Sequence, residues 1–281
     1  MKELFKHIAS QNNLHLKEAS PLSGGDINQV FLLKCEEGSL VAKINDAARF
    51  PNMFSAEAKG LHLLGATNSF KIPAVRAQGK VENSAYLLLQ FLEPGTKAAD
   101  FWDVFAQHLA TLHRTTQKQF GLDHDNYIGS LPQYNGLCES ASEFYISQRL
   151  EPQFKMAFDL GFGFDDLGSF YKNISEEIPN EAPSLIHGDL WSGNYLVAPN
   201  GRPALIDPAV AFAPREMDIG MMKLFGGFSE EVFSEYNTRF PLTVGWEKRI
   251  PLWQLYYLLV HLNLFGSGYL QQVLFIVKRY S

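Results

Sequence analysis

Residues 185–194, Leu-Ile-His-Gly-Asp-Leu-Trp-Ser-Gly-Asn, run from an apolar stretch into a polar loop that holds Asp189 and, five residues on, Asn194. A second apolar run ends at Ile206-Asp207-Pro208. Transfer of a phosphoryl group to a hydroxyl needs a carboxylate near the acceptor oxygen and oxygen ligands for Mg2+. Asp189 suits the first task, as acceptor base or orienter. Asn194 and Asp207 suit the second. Near the N-terminus, Val41-Ala42-Lys43 sets a lysine in a strand-like run, and Glu57 falls in the helical pattern that follows. Alone, such a pair reads as solvated surface charge. Their order relative to the Asp189 loop favours another role, with Lys43 on phosphates and Glu57 orienting it. Gly24 and Gly25, in the segment Ser-Gly-Gly-Asp-Ile-Asn at 23–28, could let a loop cover phosphates, although this is no G-x-G-x-x-G pattern.

The elements that must position these residues change character along the chain. The first ninety residues are mostly strand-like. Residues 28–34 and 40–44 flank the turn signal Glu37-Gly38-Ser39, which predicts a hairpin. From Pro51, the spacing of Phe54, Ala58, Leu61 and Leu64 predicts a helix that stops at Gly65. Residues 86–92 form a short buried strand, ended by Glu93-Pro94-Gly95 as a turn and hinge. Beyond it, helical patterns dominate: Phe101, Phe105, Leu109 and Leu112 share a face, and helices are expected over 140–155, 166–178, 215–225, 230–240 and from Ile250 onward. Short strands are expected at 184–186, 195–197 and 204–206. The expectation is therefore an α+β chain of two lobes, a β-rich lobe over 1–92 and a larger helical lobe over 93–281. A ligand cleft would lie between them, with the backbone of Gln90, Phe91 and Leu92 beside it.

Composition narrows the partners. Net charge is −6, the opposite of a general nucleic-acid footprint. The longest apolar stretch, near residues 255–264, is broken by His261 and Asn263 and falls short of a membrane span. The N-terminus has no apolar core of a signal peptide. Cys35 and Cys138 make neither a metal spacing nor a disulfide framework, so a reducing, cytoplasmic setting is expected. His113 is expected to be a satisfied core histidine. His187 is expected to brace its loop, and Asp218 to hold the loop backbone rather than a metal. Trp191 lies where burial is limited, so a stacking surface for a sugar is as good a reading as packing.

The pattern HGDxxxxN, then a hairpin and Ile-Asp-Pro, resembles the catalytic loop and metal aspartate of the protein-kinase-like fold. The short run from Asp207 to Arg215 leaves no room for a long activation loop, which favours a small-molecule acceptor. Over its whole length the chain resembles the fructosamine kinase (ketosamine-3-kinase) family. The segments that carry this include AEAKGL at 56–61, DNYIGS at 125–130, HGDLWSGN at 187–194, REMD at 215–218 and LFGGF at 224–228. The resemblance implies ATP as phosphoryl donor with Mg2+, and phosphorylation of the sugar 3-hydroxyl of a ketoamine, free or on a glycated lysine. The product then loses phosphate and frees the amine. HGDxxxxN alone fits aminoglycoside or choline kinases equally, and a nucleotide-binding pseudokinase scaffold is a third possibility. Residues 210–214, Val-Ala-Phe-Ala-Pro, stand where the family usually carries an aromatic pair. Phe212 is then the expected sugar contact alongside Trp191, and Ala211→Tyr is expected to tighten sugar binding.

Overall fold

A computed structural model describes residues 1–22 and 28–281; the expected phosphate-loop glycines, Gly24 and Gly25, lie outside the described residues. In chain order the elements are α1 (Lys2–Gln11), β1 (Leu16–Pro21), β2 (Gln29–Cys35), β3 (Gly38–Asp46), α2 (Met53–Ala66), β4 (Val75–Val81), β5 (Ser84–Gln90), α3 (Phe101–His113), β6 (Asn126–Ile128), β7 (Leu131–Gln133) and α4 (Ala141–Phe144). A π-helical turn (Tyr145–Leu150) leads into α5 (Glu151–Asp159), followed by α6 (Leu167–Glu177), β8 (Ser184–Ile186), β9 (Tyr195–Val197), β10 (Pro203–Leu205) and β11 (Ala211–Ala213). The chain ends in α7 (Glu216–Leu224), α8 (Glu230–Arg239), α9 (Trp246–Phe265) and α10 (Leu270–Tyr280). Among the described residues, no helix is long and apolar enough to cross a membrane.

These elements form two units. The first is Met1–Ala98 together with Leu196–Asp207; the second is Ala99–Tyr195 together with Pro208–Ser281. The division therefore does not fall at residue 92. The hairpin of β9 and β10 returns to the first unit because its backbone is bonded there: Gly95 donates to the Val197 carbonyl (2.8 Å) and Leu205 to that of Lys71 (3.0 Å).

In the first unit five antiparallel strands lie in the order β1-β2-β3-β5-β4. Strand periodicity of two sorts the side chains. Ala42, Ile44, Tyr86 and Leu88 face α1, which contributes Phe5 and Ile8. Leu87 and Leu89 face α2, which contributes Phe54, Ala58 and Leu61. Lys43, between Ala42 and Ile44, is thereby sent to the α2 side, where Glu57 is.

The second unit is helical around a core that includes Phe144, Tyr145, Phe154, Phe170, Trp253 and Leu259. Most of α9 is buried along its length. Gly220 lets α7 come close to it: a Cβ there would sit 2.7 Å from the Cβ of Trp253. The expected helix over 140–155 is a composite of α4, the π turn and α5. In the π turn, the Tyr145 hydroxyl donates to the Leu252 carbonyl (2.5 Å) and its ring packs edge-on against Trp253 (4.7 Å). The short strands β8 and β11 pair antiparallel, Ile186 opposite Ala211 and Leu185 opposite Phe212.

Candidate active site

Two groups of side chains stand out, one in each unit. In the first unit, Lys43 on β3 is buried. Its ammonium donates to Glu57 Oε1 and to Asp207 Oδ1, each at 2.6 Å. Burial alone would push Lys43 down; the carboxylates of Asp207 and Glu57 outweigh it and hold the ammonium well above its ordinary range. Glu57 moves upward too: burial and then the nearby Asp207 disfavour its charge, against the pull of Lys43. Lys43 rises because it serves two carboxylates, and Glu57 rises chiefly because it is buried; with both carboxylates ionised the trio carries one negative charge in excess. Asp207 has φ 54°, the left-handed region that Asp tolerates better than most residues, and its side chain is 39% exposed.

This donor set fits a magnesium ion. Mg2+ takes oxygen ligands, usually one or two carboxylates completed by water and substrate phosphates rather than an all-protein cage. Among the described residues no three His, Cys, Asp or Glu side chains are gathered as such a cage. A half-exposed carboxylate in a trio with surplus negative charge is the simpler kind of ligand that Mg2+ and a phosphate would share.

Near the end of β5, the Gln90 N–H donates to the Ala74 carbonyl (2.8 Å) and the Phe91 N–H to that of Ser39 (3.4 Å). Of the three residues whose backbone is expected beside the ligand, Gln90 and Phe91 thus have their N–H groups engaged in the sheet.

In the second unit, β8 delivers the polar loop. Asn194 donates its Nδ2 to the Asp189 carbonyl (2.8 Å) and to Asp189 Oδ2 (3.0 Å). An amide oxygen is the kind of ligand atom a hard cation takes, and Asn194 is the residue of this loop assigned to one. Asp218, at the start of α7 and fully buried, accepts the N–H of His187 (2.8 Å) on Oδ2 and that of Gly188 (2.9 Å) on Oδ1. A carboxylate can only accept, so His113 Nε2 also donates to Asp218 Oδ2 (3.1 Å), and His113 Nδ1 accepts from the Tyr236 hydroxyl (2.8 Å). Burial holds His113 below its ordinary range despite the pull of Asp218. Arg215 closes the chain by donating to the Tyr236 hydroxyl (3.3 Å) and, through two nitrogens, to Glu181 (2.7 and 2.9 Å). His113 is the satisfied core histidine its sequence context suggests, and Asp218 holds backbone.

The loop is fixed from its other side by groups that sequence reasoning did not single out. The Tyr257 hydroxyl donates to the Gly188 carbonyl (3.0 Å). Gly188 has φ 82°, and a Cβ there would lie 2.0 Å from the Ala209 carbonyl oxygen, so only glycine fits. The backbone after Asp207 is held by buried amides: Gln133 donates to the Ala209 carbonyl (3.0 Å) and Asn126 to that of Val210 (2.8 Å). Tyr256 and Arg149 brace those amides through Gln133 (2.7 Å) and Asn135 (2.8 Å). Asn126 falls within the segment DNYIGS, and family-like segments at 148–150 and 255–259 hold Arg149, Tyr256 and Tyr257.

The two expected sugar contacts part company. Trp191 is 41% exposed, with its ring laid over Gly193, where a Cβ would meet it at 2.3 Å. The ring is thus in part packed and in part exposed. Phe212 is instead buried in β11, with its backbone bonded to Gly121 (2.8 and 3.1 Å), and offers a substrate no surface. Ala211 is fully buried beside it, so the substituted segment 210–214 is core rather than an acceptor wall, and a tyrosine at 211 has no room.

This is the fold of the kinase-like phosphotransferases. The chain superposes on an aminoglycoside phosphotransferase with a TM-score of 0.62 at 16% identity, covering 100% of this chain and 99% of that one, a likeness of fold alone. A protein of Haemophilus somnus 129PT described as a “putative fructosamine-3-kinase” superposes with a TM-score of 0.89 at 27% identity, over 99% of this chain and 96% of that one. A “probable ketoamine kinase” of Enterococcus faecium is 40% identical over 259 residues, 90% of this chain and 91% of the relative. Residues 1–280 match the family described as fructosamine kinase, and the chain belongs to that family.

Proposed function

We propose that this chain is an ATP-dependent ketoamine kinase that phosphorylates the 3-hydroxyl of the sugar. The observation that carries the chemistry is the contact of Lys43 with both Glu57 and Asp207 at 2.6 Å. A pseudokinase is marked by loss of such groups, and here they are present and engaged. Lys43, oriented by Glu57, binds the nucleotide phosphates. Asp207 and Asn194 are assigned to Mg2+, which supplies charge neutralisation at the transferring phosphoryl group. Asp189 receives the proton of the acceptor hydroxyl as its oxygen bonds to the γ-phosphorus and the bond to ADP breaks. Asn194, bonded to Asp189, fixes the direction of that carboxylate. Trp191 offers its exposed ring to the apolar side of the sugar.

The acceptor class is the ketoamine, including the glycated side chain of lysine. A net charge of −6 disfavours nucleic acid as a partner. Two buried, free cysteines fit a reducing cytoplasm.

The test is phosphate incorporation followed by mass spectrometry across ribulosyl- and fructosyl-amines, an aminoglycoside and choline. Ketoamines should gain one phosphate on the sugar. Asp189→Ala should lower kcat by about 10²–10⁴, the range for a positioned acid–base group, with nucleotide affinity kept. Phosphorylation of choline or the aminoglycoside with ketoamines untouched would overturn the acceptor assignment.

A further inference from the structure

The loop after α7, residues 225–228, is Phe-Gly-Gly-Phe, and its two phenylalanines behave oppositely. Phe228 is anchored inward, its ring 5.3 Å from Tyr195 and 5.6 Å from Phe105. Phe225 turns outward and is 43% exposed. Two left-handed glycines make the reversal, Gly226 at φ 72° and Gly227 at φ 89°. Gly227 also brings this loop against the catalytic one: a Cβ there would lie 2.4 Å from Ser192 Cβ, and the Tyr195 hydroxyl donates to the Gly227 carbonyl (3.3 Å).

From Phe225 a row of rings continues outward along the second unit. The His261 ring lies 4.9 Å from Phe225, 5.5 Å from Phe265 and 5.1 Å from Tyr269. Phe265, at the end of α9, is 58% exposed. His261 donates its Nδ1–H to the Tyr257 carbonyl (2.7 Å), which fixes the ring on the same tyrosine whose hydroxyl holds Gly188. Burial keeps His261 below its ordinary range, against that carbonyl, so the row is uncharged at neutral pH. Single exposed aromatics need no explanation. A contiguous row with exposed rings at both ends, starting beside the loop that carries Asp189, is the kind of surface that marks a binding site.

We propose that Phe225, His261 and Phe265 form a subsite for the hydrocarbon arm of the amine that carries the sugar. This rests on the ketoamine kinase reading above. With the sugar hydroxyl at Asp189 and the sugar against Trp191, an amine arm that leaves past Ser192 meets the loop of residues 225–228, where Gly227 touches Ser192 and Phe225 begins the row. An uncharged aromatic shelf favours methylenes, such as the four of a lysine side chain, over a short or charged arm. The chain then distinguishes ketoamines by what hangs from the nitrogen as well as by the sugar.

The test uses fructosyl-n-butylamine and fructosyl-methylamine, which share the sugar and differ only in the arm. For the intact protein, kcat/KM should be about tenfold higher for the butyl compound, the scale of about two buried methylenes, with the difference in KM. Phe225→Ala and, separately, Phe265→Ala should shrink that ratio to about twofold or less. Phe225→Leu should keep part of it, and it replaces the alanine variant if that one fails to fold. Phe275→Ala, on α10 and 68% exposed, should leave the ratio unchanged. Equal turnover of both compounds by the intact protein, or a ratio untouched by both alanine variants, overturns the subsite while the kinase reading stands. Failure to phosphorylate either compound overturns the kinase reading itself, and the subsite with it.

Discussion

Replacing Asp218 by Asn changes one atom and removes one charge at the point where the catalytic loop is clamped. Asp218 Oδ2 accepts from the His187 N–H and from His113 Nε2–H, and Oδ1 accepts from the Gly188 N–H. The asparagine amide oxygen can keep the first two. Its NH2 then faces the Gly188 N–H, donor against donor, in a site with no access to water. Hydrogen bonds to a charged group contribute about 1.5–3 kcal/mol each. One is lost outright and two are weakened, so the expected destabilisation is about 3 kcal/mol. At about 2–4 °C per kcal/mol for a body of 150–250 residues, Tm should fall by about 6–12 °C. The loop backbone carries Asp189 one residue further on, and a displacement of about 1 Å costs on the order of 10²-fold in rate. Thermal melting and steady-state kinetics on the same preparation measure both. Nucleotide affinity should hold, since Lys43, Glu57 and Asp207 are untouched. A Tm within about 1 °C of the parent, or an unchanged kcat, would refute the claim that this carboxylate holds the loop.

Three further outcomes follow from geometry given above. Lys43→Met and Glu57→Gln should be non-additive in kcat/KM, with a coupling energy of about 0.5–3 kcal/mol in a double-mutant cycle; additivity would dissolve the pair. Ala211→Tyr should lower stability by about 1–3 kcal/mol in denaturant titration without lowering KM for a ketoamine, because the site is packed core. His113 is held below 6.5 in the fold, so the unfolded chain binds more protons once the pH falls below that value. Its contribution is complete above pH 6.5 and is lost as pH falls toward the folded pKa, at up to about 1.4 kcal/mol per pH unit. His113→Gln should flatten that slope, and an unchanged slope would show that His113 is charged in the fold.

Much of the site was legible because it is written locally. Asp189 and Asn194 are five residues apart in one loop, and strand parity alone sends Lys43 to the side of the sheet where Glu57 lies. The Asp207 contact was legible only as an order of motifs, since 164 residues separate it from Lys43. The groups that hold the loop were harder to see. Tyr257 reads as one more apolar position of a buried helix, and nothing in its spacing shows that its hydroxyl meets Gly188. Gln133 and Asn126 bond to backbone carbonyls, which have no sequence signature. Phe212 misled because the segment 210–214 was judged by residue type, whereas its place opposite β8 makes it core. The strands β1 and β4, rich in polar and small residues, lack the apolar run that exposed β2, β3 and β5. The π turn inside the helix over 140–155 left no periodic trace.

A ribosome releases this chain from its N-terminus, yet the first unit is not finished when Ala98 emerges. By then the five strands and α2 exist, and Lys43 has Glu57 but no Asp207. The Lys71 carbonyl still lacks its Leu205 donor, and Gly95 lacks Val197. The missing hairpin and Asp207 follow about 110 residues later, a wait on the order of 5–20 s at about 5–20 residues per second. Asp189 and Asn194 are translated within that wait, ahead of the aspartate that completes the lysine trio. The order of synthesis therefore never yields a complete Lys43–Glu57–Asp207 group on a chain that lacks its acceptor loop.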